Sequence, residues 1–344
     1  MPHSIPMNAR LILMTKRLSR GLTFILLTAA SVKAGEWEKL PPLPEPNGGF
    51  LAGASGSHVV IAGGTNWEGG LKHWLRGIYE YSPQKRRWEK AKDLEAPAAY
   101  GVPLQFRPRL ENATTGFIGG TDGRKPLKVI SSLDAIKTVL SPLQQLPDSI
   151  VLSAGGQVGD TAVIVGGTND AANIAGFVNA AYGVTFAPRS AEVSKFPDYP
   201  GKPFAIAASA VAGGELFIFG GANWTGANQD VVNTDEAYAL AVEPKTWRKL
   251  RSFPYAVRGM TAIALTDNVI YLGGGFVNDT EGFTDRAFLY DIAKDSYTPA
   301  PPLPYKALVA LVNCDGFIYC LGGEDKPKSR VDACYRIPVA DLLK

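Results

Sequence analysis

Histidine is almost missing from this chain. Only His3, His58 and His73 occur among 344 residues, so no histidine-rich metal site can be built, which argues against a copper-radical oxidase. Cysteine is equally scarce. Cys314, Cys320 and Cys334 all fall near the C-terminus, and no pair has the C-x₂-C spacing of structural zinc sites. Walker, G-x-S-x-G and H-E-x-x-H motifs are absent, which removes P-loop nucleotide binding, the serine-hydrolase elbow and the zinc-protease helix. The chain also lacks a strong charge of either sign. It has 35 basic and 32 acidic side chains, but Arg10, Lys16, Arg17, Arg20 and Lys33 lie in the first 34 residues with no acid among them. The remaining 30 basic and 32 acidic groups call for no nucleic-acid partner.

Those first 34 residues read as a secretory leader. A basic stretch around Lys16, Arg17 and Arg20 precedes the apolar GLTFILLTAA, and Val32-Lys33-Ala34 supplies the small residues a signal peptidase needs. At roughly 10–12 residues the apolar segment is too short to span a bilayer. The expectation is cleavage after Ala34, a periplasmic or secreted product over residues 35–344, and no membrane span thereafter. Met7 and Met14 are alternative starts.

Glycine, in contrast, is plentiful, with 37 residues placed with a period. Gly63-Gly64, Gly119-Gly120, Gly166-Gly167, Gly220-Gly221, Gly273-Gly274 and Gly322-Gly323 each end a short apolar run, at spacings of 56, 47, 54, 53 and 49 residues. A period near 50 marks a repeat architecture, and kelch units have about that length. In the clearest unit, 259–265 and 269–272 read as two strands joined by the turn Thr266-Asp267-Asn268. Arg286 to Asp291 follows as the third strand and Tyr297-Thr298 as the fourth. Residues 236–240 with 247–250, and 77–81 with 88–90, are further third and fourth strands. The last repeat lacks a fourth strand, whereas Gly35 to Leu40 is a fourth strand without the other three. The expected fold is all-β: one six-bladed kelch-type β-propeller, closed by the N-terminal strand completing the C-terminal blade. Residues 127–146 and the Ala-rich 169–186 fit the repeat poorly. The latter reads as a short helix or a loop. Cys320 and Cys334 fall on neighbouring strands, compatible with a disulfide or with buried free thiols.

Antiparallel alternation puts the loops after the Gly-Gly pairs and the heads of the first strands on one face. The candidates from the loops are Asn66, Trp67, Asp122, Arg124, Asn169, Asp170, Asn223, Trp224, Asn278 and Glu324. Those from the strand heads are Asn47 to Phe50, Tyr100, Phe204, Arg258, Tyr305 and Lys306. Aromatic, amide and basic groups on one rim suit a polyhydroxylated anion. Simple solvated loops are the plainer reading for any single residue. Glu324 stands apart as the only acidic residue directly after one of the six periodic Gly-Gly pairs, with Arg330 across a short loop. A carboxylate beside a guanidinium can serve as acid/base and anion anchor. The alternative is an exposed ion pair of little consequence.

These residues resemble the N-acetylneuraminate epimerase (sialic acid mutarotase) family, in its cyclically permuted branch. GGEDKPKSRVDA (322–333) is similar to that family's Gly-Glu-x-Lys-Pro-x-x-Arg-x-Asp-Ala. Leu51-Ala52-Gly53-Ala54-Ser55-Gly56 is similar to its Phe-Ala-Gly-x-Ser-Gly. Ala99-Tyr100-Gly101-Val102 resembles Arg-Ala-Tyr-Gly-Val with Ala98 in place of Arg, and GGTNWEGGLKHW (63–74) resembles its GGANFP-type segment. The resemblance implies a cofactor-free isomerase that interconverts the α and β anomers of N-acetylneuraminate by ring opening, without a metal. It implies Glu324 as acid/base and Arg330 as its partner holding the substrate carboxylate. Arg258, Tyr100, Asn66, Trp67 and Asn223 are the expected substrate contacts. The implied partner is a small-molecule sugar acid, and a homodimer is allowed. Ala98 and Phe204 depart from the family pattern and put the particular sugar in doubt. A non-catalytic kelch module binding glycan or protein is the alternative. A sialidase-like hydrolase is disfavoured by the absence of Asp-boxes.

Overall fold

In this computed structural model, residues 35–105, 115–133, 142–146, 150–169, 176–187, 190–224 and 230–344 are described. The expected leader lies outside them, as do Asp170, residues 134–141 of the irregular second repeat and residues 171–175 of the Ala-rich stretch.

Second strands such as His58–Ala62 and Glu215–Phe219 are apolar at consecutive positions because both of their faces are covered. Val59 and Ile61 pack with Val312 and Tyr319, whereas Val60 and Ala62 pack with Phe117 on the other side. Likewise Leu216 and Ile218 join Val163 and Val165, while Phe217 and Phe219 join Ile270 and Leu272. The core is therefore divided into layers, each shared by two neighbouring sheets.

Six four-stranded antiparallel sheets form among the described residues. One holds Leu51–Ser55, His58–Ala62, Gly77–Ser82 and Arg87–Asp93. Its successors begin with Val102–Leu104, Ala154–Val158, Ala208–Ala212, Thr261–Thr266 and Leu308–Cys314. These first strands touch one another in sequence, and the last also touches Leu51–Ser55. The last sheet takes its fourth strand, Glu38–Lys39, from the other end of the chain, with Glu38 opposite Arg336 and Lys39 opposite Tyr335. This all-β arrangement is consistent with a kelch-type propeller. Val339–Leu342 is a single helical turn at the end. Among the described residues no helix is long and apolar enough to cross a membrane.

The structure corrects two expectations, on the fifth glycine pair and the Ala-rich stretch, and decides the cysteine state in favour of free thiols. In the run VIYLGGG the strand extends through Gly273, which pairs with Thr261 and Ala287. The positive-φ pair, which directly follows four of the other second strands and lies near the end of Phe317–Glu324, is therefore Gly274-Gly275 here, one residue later than expected. All three cysteines are free and buried. Cys320 lies opposite Tyr335 and Cys334 opposite Leu321, so the two thiols are one position out of register and face opposite sides of the sheet. Burial pushes the Cys320 thiol up to about 12. Ala181–Ala187, overlapping the end of the Ala-rich stretch, is a third strand rather than a short helix or a loop.

Two elements lie outside the sheet repeat. Thr65–Glu68 and Leu71–Trp74 form a hairpin directly after Gly63-Gly64. Phe204–Ala205, Ala222–Trp224 and Val231–Asn233 form a small three-stranded sheet.

Candidate active site

A cavity of about 480 Å³ opens where the six first strands begin. Each repeat contributes to its wall: Gly49, Tyr100, Leu152, Ile206, Gly259 and Leu308. Five of these, all but Leu308, have positive φ. Such backbone is costly for Tyr, Leu and Ile, by roughly 1–2 kcal/mol each, and strain of this kind persists where packing demands it.

Glu324 ends the strand Phe317–Glu324 at the cavity wall. Gly323 before it has φ +105, and a Cβ there would collide with the Leu308 carbonyl, so the chain can pass only as glycine. Arg330 returns across the loop, and its Nη1 donates to Glu324 Oε2 at 2.6 Å. The guanidinium is otherwise engaged by the protein. Nη1 also donates to the Ser329 carbonyl at 2.7 Å, Nε to Thr65 Oγ1 at 3.2 Å and Nη2 to the Tyr100 hydroxyl at 3.0 Å. The Arg330 side chain is 5% exposed and that of Glu324 28%. Gly48 packs beneath the arginine, where a Cβ would come within 2.5 Å of its Cδ.

Thr65 is fully buried and organises this cluster. Its hydroxyl donates to the Gly48 carbonyl at 3.0 Å and lies 3.1 Å from the Tyr100 hydroxyl. Its backbone N–H donates to Asn47 Oδ1, while Asn47 Nδ2 donates to the Gly63 carbonyl. Lys72, on the second arm of the hairpin, places its Nζ 4.7 Å from the ring centroids of both Trp74 and Tyr100. Burial alone would push the Tyr100 phenol up. The nearby charges of Lys72 and Arg330, with hydrogen bonding to Lys72 and Thr65, outweigh it and hold the phenol below the usual tyrosine value.

Of the seven residues expected from sequence, Glu324, Arg330, Tyr100 and Trp67 line this cavity. Trp67 contributes its ring, and its buried Nε1 has no hydrogen-bond partner. Asn66, Asn223 and Arg258 are not among the lining residues. Asn66 Oδ1 accepts from the Trp67 N–H. Asn223 is buried opposite Phe204, and its Oδ1 has no partner. Arg258 donates to Asn233 Oδ1 at 2.8 Å and stacks on Phe276. Several other rim candidates serve their own loops. Asp122 accepts from the N–H groups of Arg124 and Lys125, and Asn278 from those of Thr280 and Glu281. Lys72 and Thr65 were missed. The Gly69-Gly70 pair between the hairpin arms, with φ +58 and +78, is the turn signal that could have found them.

No family profile matches the chain. It is 27% identical over 123 residues to N-acetylneuraminate epimerase of Pasteurella multocida, covering 28% of this chain and 31% of the relative. Against N-acetylneuraminate epimerase 1 of Escherichia coli O6:H1 the figures are 26% over 133 residues, 37% and 33%. Kelch-like protein 35 of Mus musculus is 31% identical over 127 residues, covering 36% of this chain and 20% of that protein. The chain's homologues are N-acetylneuraminate epimerases and a kelch-like protein. A kelch repeat fits both groups. The matched stretch spans a fifth to a third of each relative's length.

Proposed function

We propose that this chain is a periplasmic or secreted sugar mutarotase built on a closed six-bladed kelch propeller, interconverting the anomers of N-acetylneuraminate or a closely related sugar acid. One observation carries the reading: Glu324, ion-paired to a nearly buried Arg330, lines the cavity where all six first strands converge. The likeness to N-acetylneuraminate epimerases supports it.

The chemistry asks little of the protein. A base removes the proton of the anomeric hydroxyl, its oxygen forms the C=O of the open-chain ketone, and the ring C–O bond breaks. An acid delivers a proton to the departing ring oxygen. The carbonyl turns and the reverse steps close the ring on its other face. The Glu324 carboxylate takes the first proton and, now protonated, is the acid that passes it to the ring oxygen; at closure it takes that proton back and delivers it to the carbonyl oxygen. Proton transfer of this kind contributes roughly 10²–10⁴-fold, which suffices for a reaction that already runs unaided.

The test is NMR of freshly released α-N-acetylneuraminate. Wild type should bring the anomers to equilibrium faster than Glu324→Ala, by roughly 10²-fold or more in the catalysed rate. Equal rates would sink the proposal. The match to a kelch-like protein favours a second reading, a module that binds without catalysis. Tight sugar binding with no acceleration of exchange would select it.

A further inference from the structure

The cavity lining contains three charged side chains, Lys72, Glu324 and Arg330. Glu324 and Arg330 neutralise one another at 2.6 Å, so the cavity holds one surplus positive charge, on Lys72. Arg330 is a poor anchor for an incoming anion. A guanidinium has five N–H groups, and a planar two-bond grip on a carboxylate needs two of them on one edge. Four of the five already serve Thr65, Glu324, Ser329 and Tyr100. Turning Arg330 toward a ligand would strip these nearly buried groups of their partners, and such losses usually exceed what a new bond returns. Lys72 is less committed, with a single side-chain hydrogen bond to Tyr100. It lines the cavity, it is not ion-paired to a carboxylate among the described residues, and an ammonium has three donors. Its Nζ lies 4.7 Å from the centroids of both the Trp74 and Tyr100 rings, which set the ammonium at the cavity wall.

We infer that Lys72 is the anion seat of this cavity, that the ligand is a sugar carrying a single carboxylate, and that Arg330 positions Glu324 and Tyr100 instead of holding the ligand. This inference rests on the mutarotase reading for the identity of the sugar, but not for the seat itself. It reassigns the anchoring role expected of Arg330 to a residue carried by the hairpin Thr65–Trp74. The remaining lining is apolar or glycine apart from Ser153, Tyr100 and Trp67, so a second anionic group on the ligand would find no counter-charge there.

The test compares an acid with its neutral counterpart. N-acetylneuraminate and its methyl ester are titrated by calorimetry into wild type, Lys72→Met, Lys72→Arg and Arg330→Lys, with D-glucuronate and D-glucose as a second pair. Thermal melts confirm that each variant folds, and anomer exchange is followed on the same samples. Wild type should prefer the acid by about ten- to a hundredfold, the range expected of a hydrogen-bonded charge pair. Lys72→Met should bind acid and ester alike, Lys72→Arg should keep most of the preference, and Arg330→Lys should keep it while losing exchange. The seat is overturned if Lys72→Met retains the wild-type preference, if Arg330→Lys alone abolishes it, or if wild type binds neither acid. Should glucuronate bind through Lys72 and N-acetylneuraminate not, the mutarotase reading falls and the seat stands. The same holds if N-acetylneuraminate binds through Lys72 without any acceleration of exchange.

Discussion

At the scale of single residues, Tyr100 gathers the most opposing effects. Its backbone is left-handed at φ 60, and its phenol oxygen meets Arg330 and Thr65. Burial disfavours the phenolate, but the two cations beside it win, and the folded-state pKa lies below the unfolded one. Tyr79, Tyr81, Tyr199, Tyr255, Tyr271, Tyr290, Tyr297, Tyr305 and Tyr319 are all shifted upward, chiefly by burial. Tyr100 should therefore ionise ahead of all of these. A group with a depressed pKa releases its proton more readily when folded, so the fold gains stability as pH rises through the folded value toward 10.0. Tyr100→Phe should lack both effects. Phenolate absorbance should lose its earliest step, and the stability gap to wild type should widen with rising alkalinity. An unchanged titration in Tyr100→Phe would refute this. Glu324 and Arg330 were legible from the sequence because they stand only six positions apart, across a short loop. The contact of Arg330 with Thr65 spans 265 positions and Lys72 arrives on a hairpin outside the sheet repeat, so neither could be placed without the tertiary structure.

At the scale of elements, the fourth strands carry aromatic latches. Trp88 Nε1 donates to the Pro41 carbonyl, Trp247 Nε1 to that of Pro197 and Trp37 Nε1 to that of Pro302. In each case an indole on one sheet holds the segment leading from the neighbouring unit. The proline supplies an acceptor on a chain stiffened at φ. Trp247 also packs edge-on against Tyr199 at 5.5 Å. Trp247→Phe should keep most of this packing and lose the hydrogen bond, at a cost of about 1 kcal/mol in denaturant unfolding. Trp247→Ala should cost clearly more, and equal costs would show that the bond contributes nothing. These strands were readable from sequence because the Trp recurs in register with the glycine pairs. The hairpin Thr65–Trp74 was not, since arms of four residues carry little periodicity. The one-residue shift at Gly274-Gly275 arose because three successive glycines leave the pair ambiguous until strand register decides it.

At the scale of the whole molecule, the ends of the chain meet in one sheet, and the site depends on that junction. After Glu38–Lys39 the chain continues along the last repeat, with the N–H groups of Leu40, Leu43 and Asn47 donating to Cys334, Asp332 and Val331. Gly323 donates back to the Asn47 carbonyl at 2.7 Å, so the N-terminal segment braces the strand that presents Glu324. Leu40 and Leu43, each 3% exposed, fix it in the core. Glu38 adds charge to the junction, accepting from Arg336 Nε and from Arg86 Nη1, each at 2.6 Å. Burial would raise the Glu38 carboxyl, but the two arginines outweigh it and hold it below 4.5. A carboxyl with a depressed folded pKa stabilises fully above its unfolded value and loses that contribution as pH falls through the folded one. Glu38→Gln should therefore be less stable than wild type at neutral pH, by up to about 1 kcal/mol for a pair so screened by solvent. The gap should shrink as the solution is acidified below pH 4.5, and high salt should narrow it as well. Leu43→Ala, which removes packing without charge, should cost about 2–5 kcal/mol at every pH. A constant Glu38→Gln deficit from neutral to acid pH would mean that shape alone holds the two ends of the chain in one sheet.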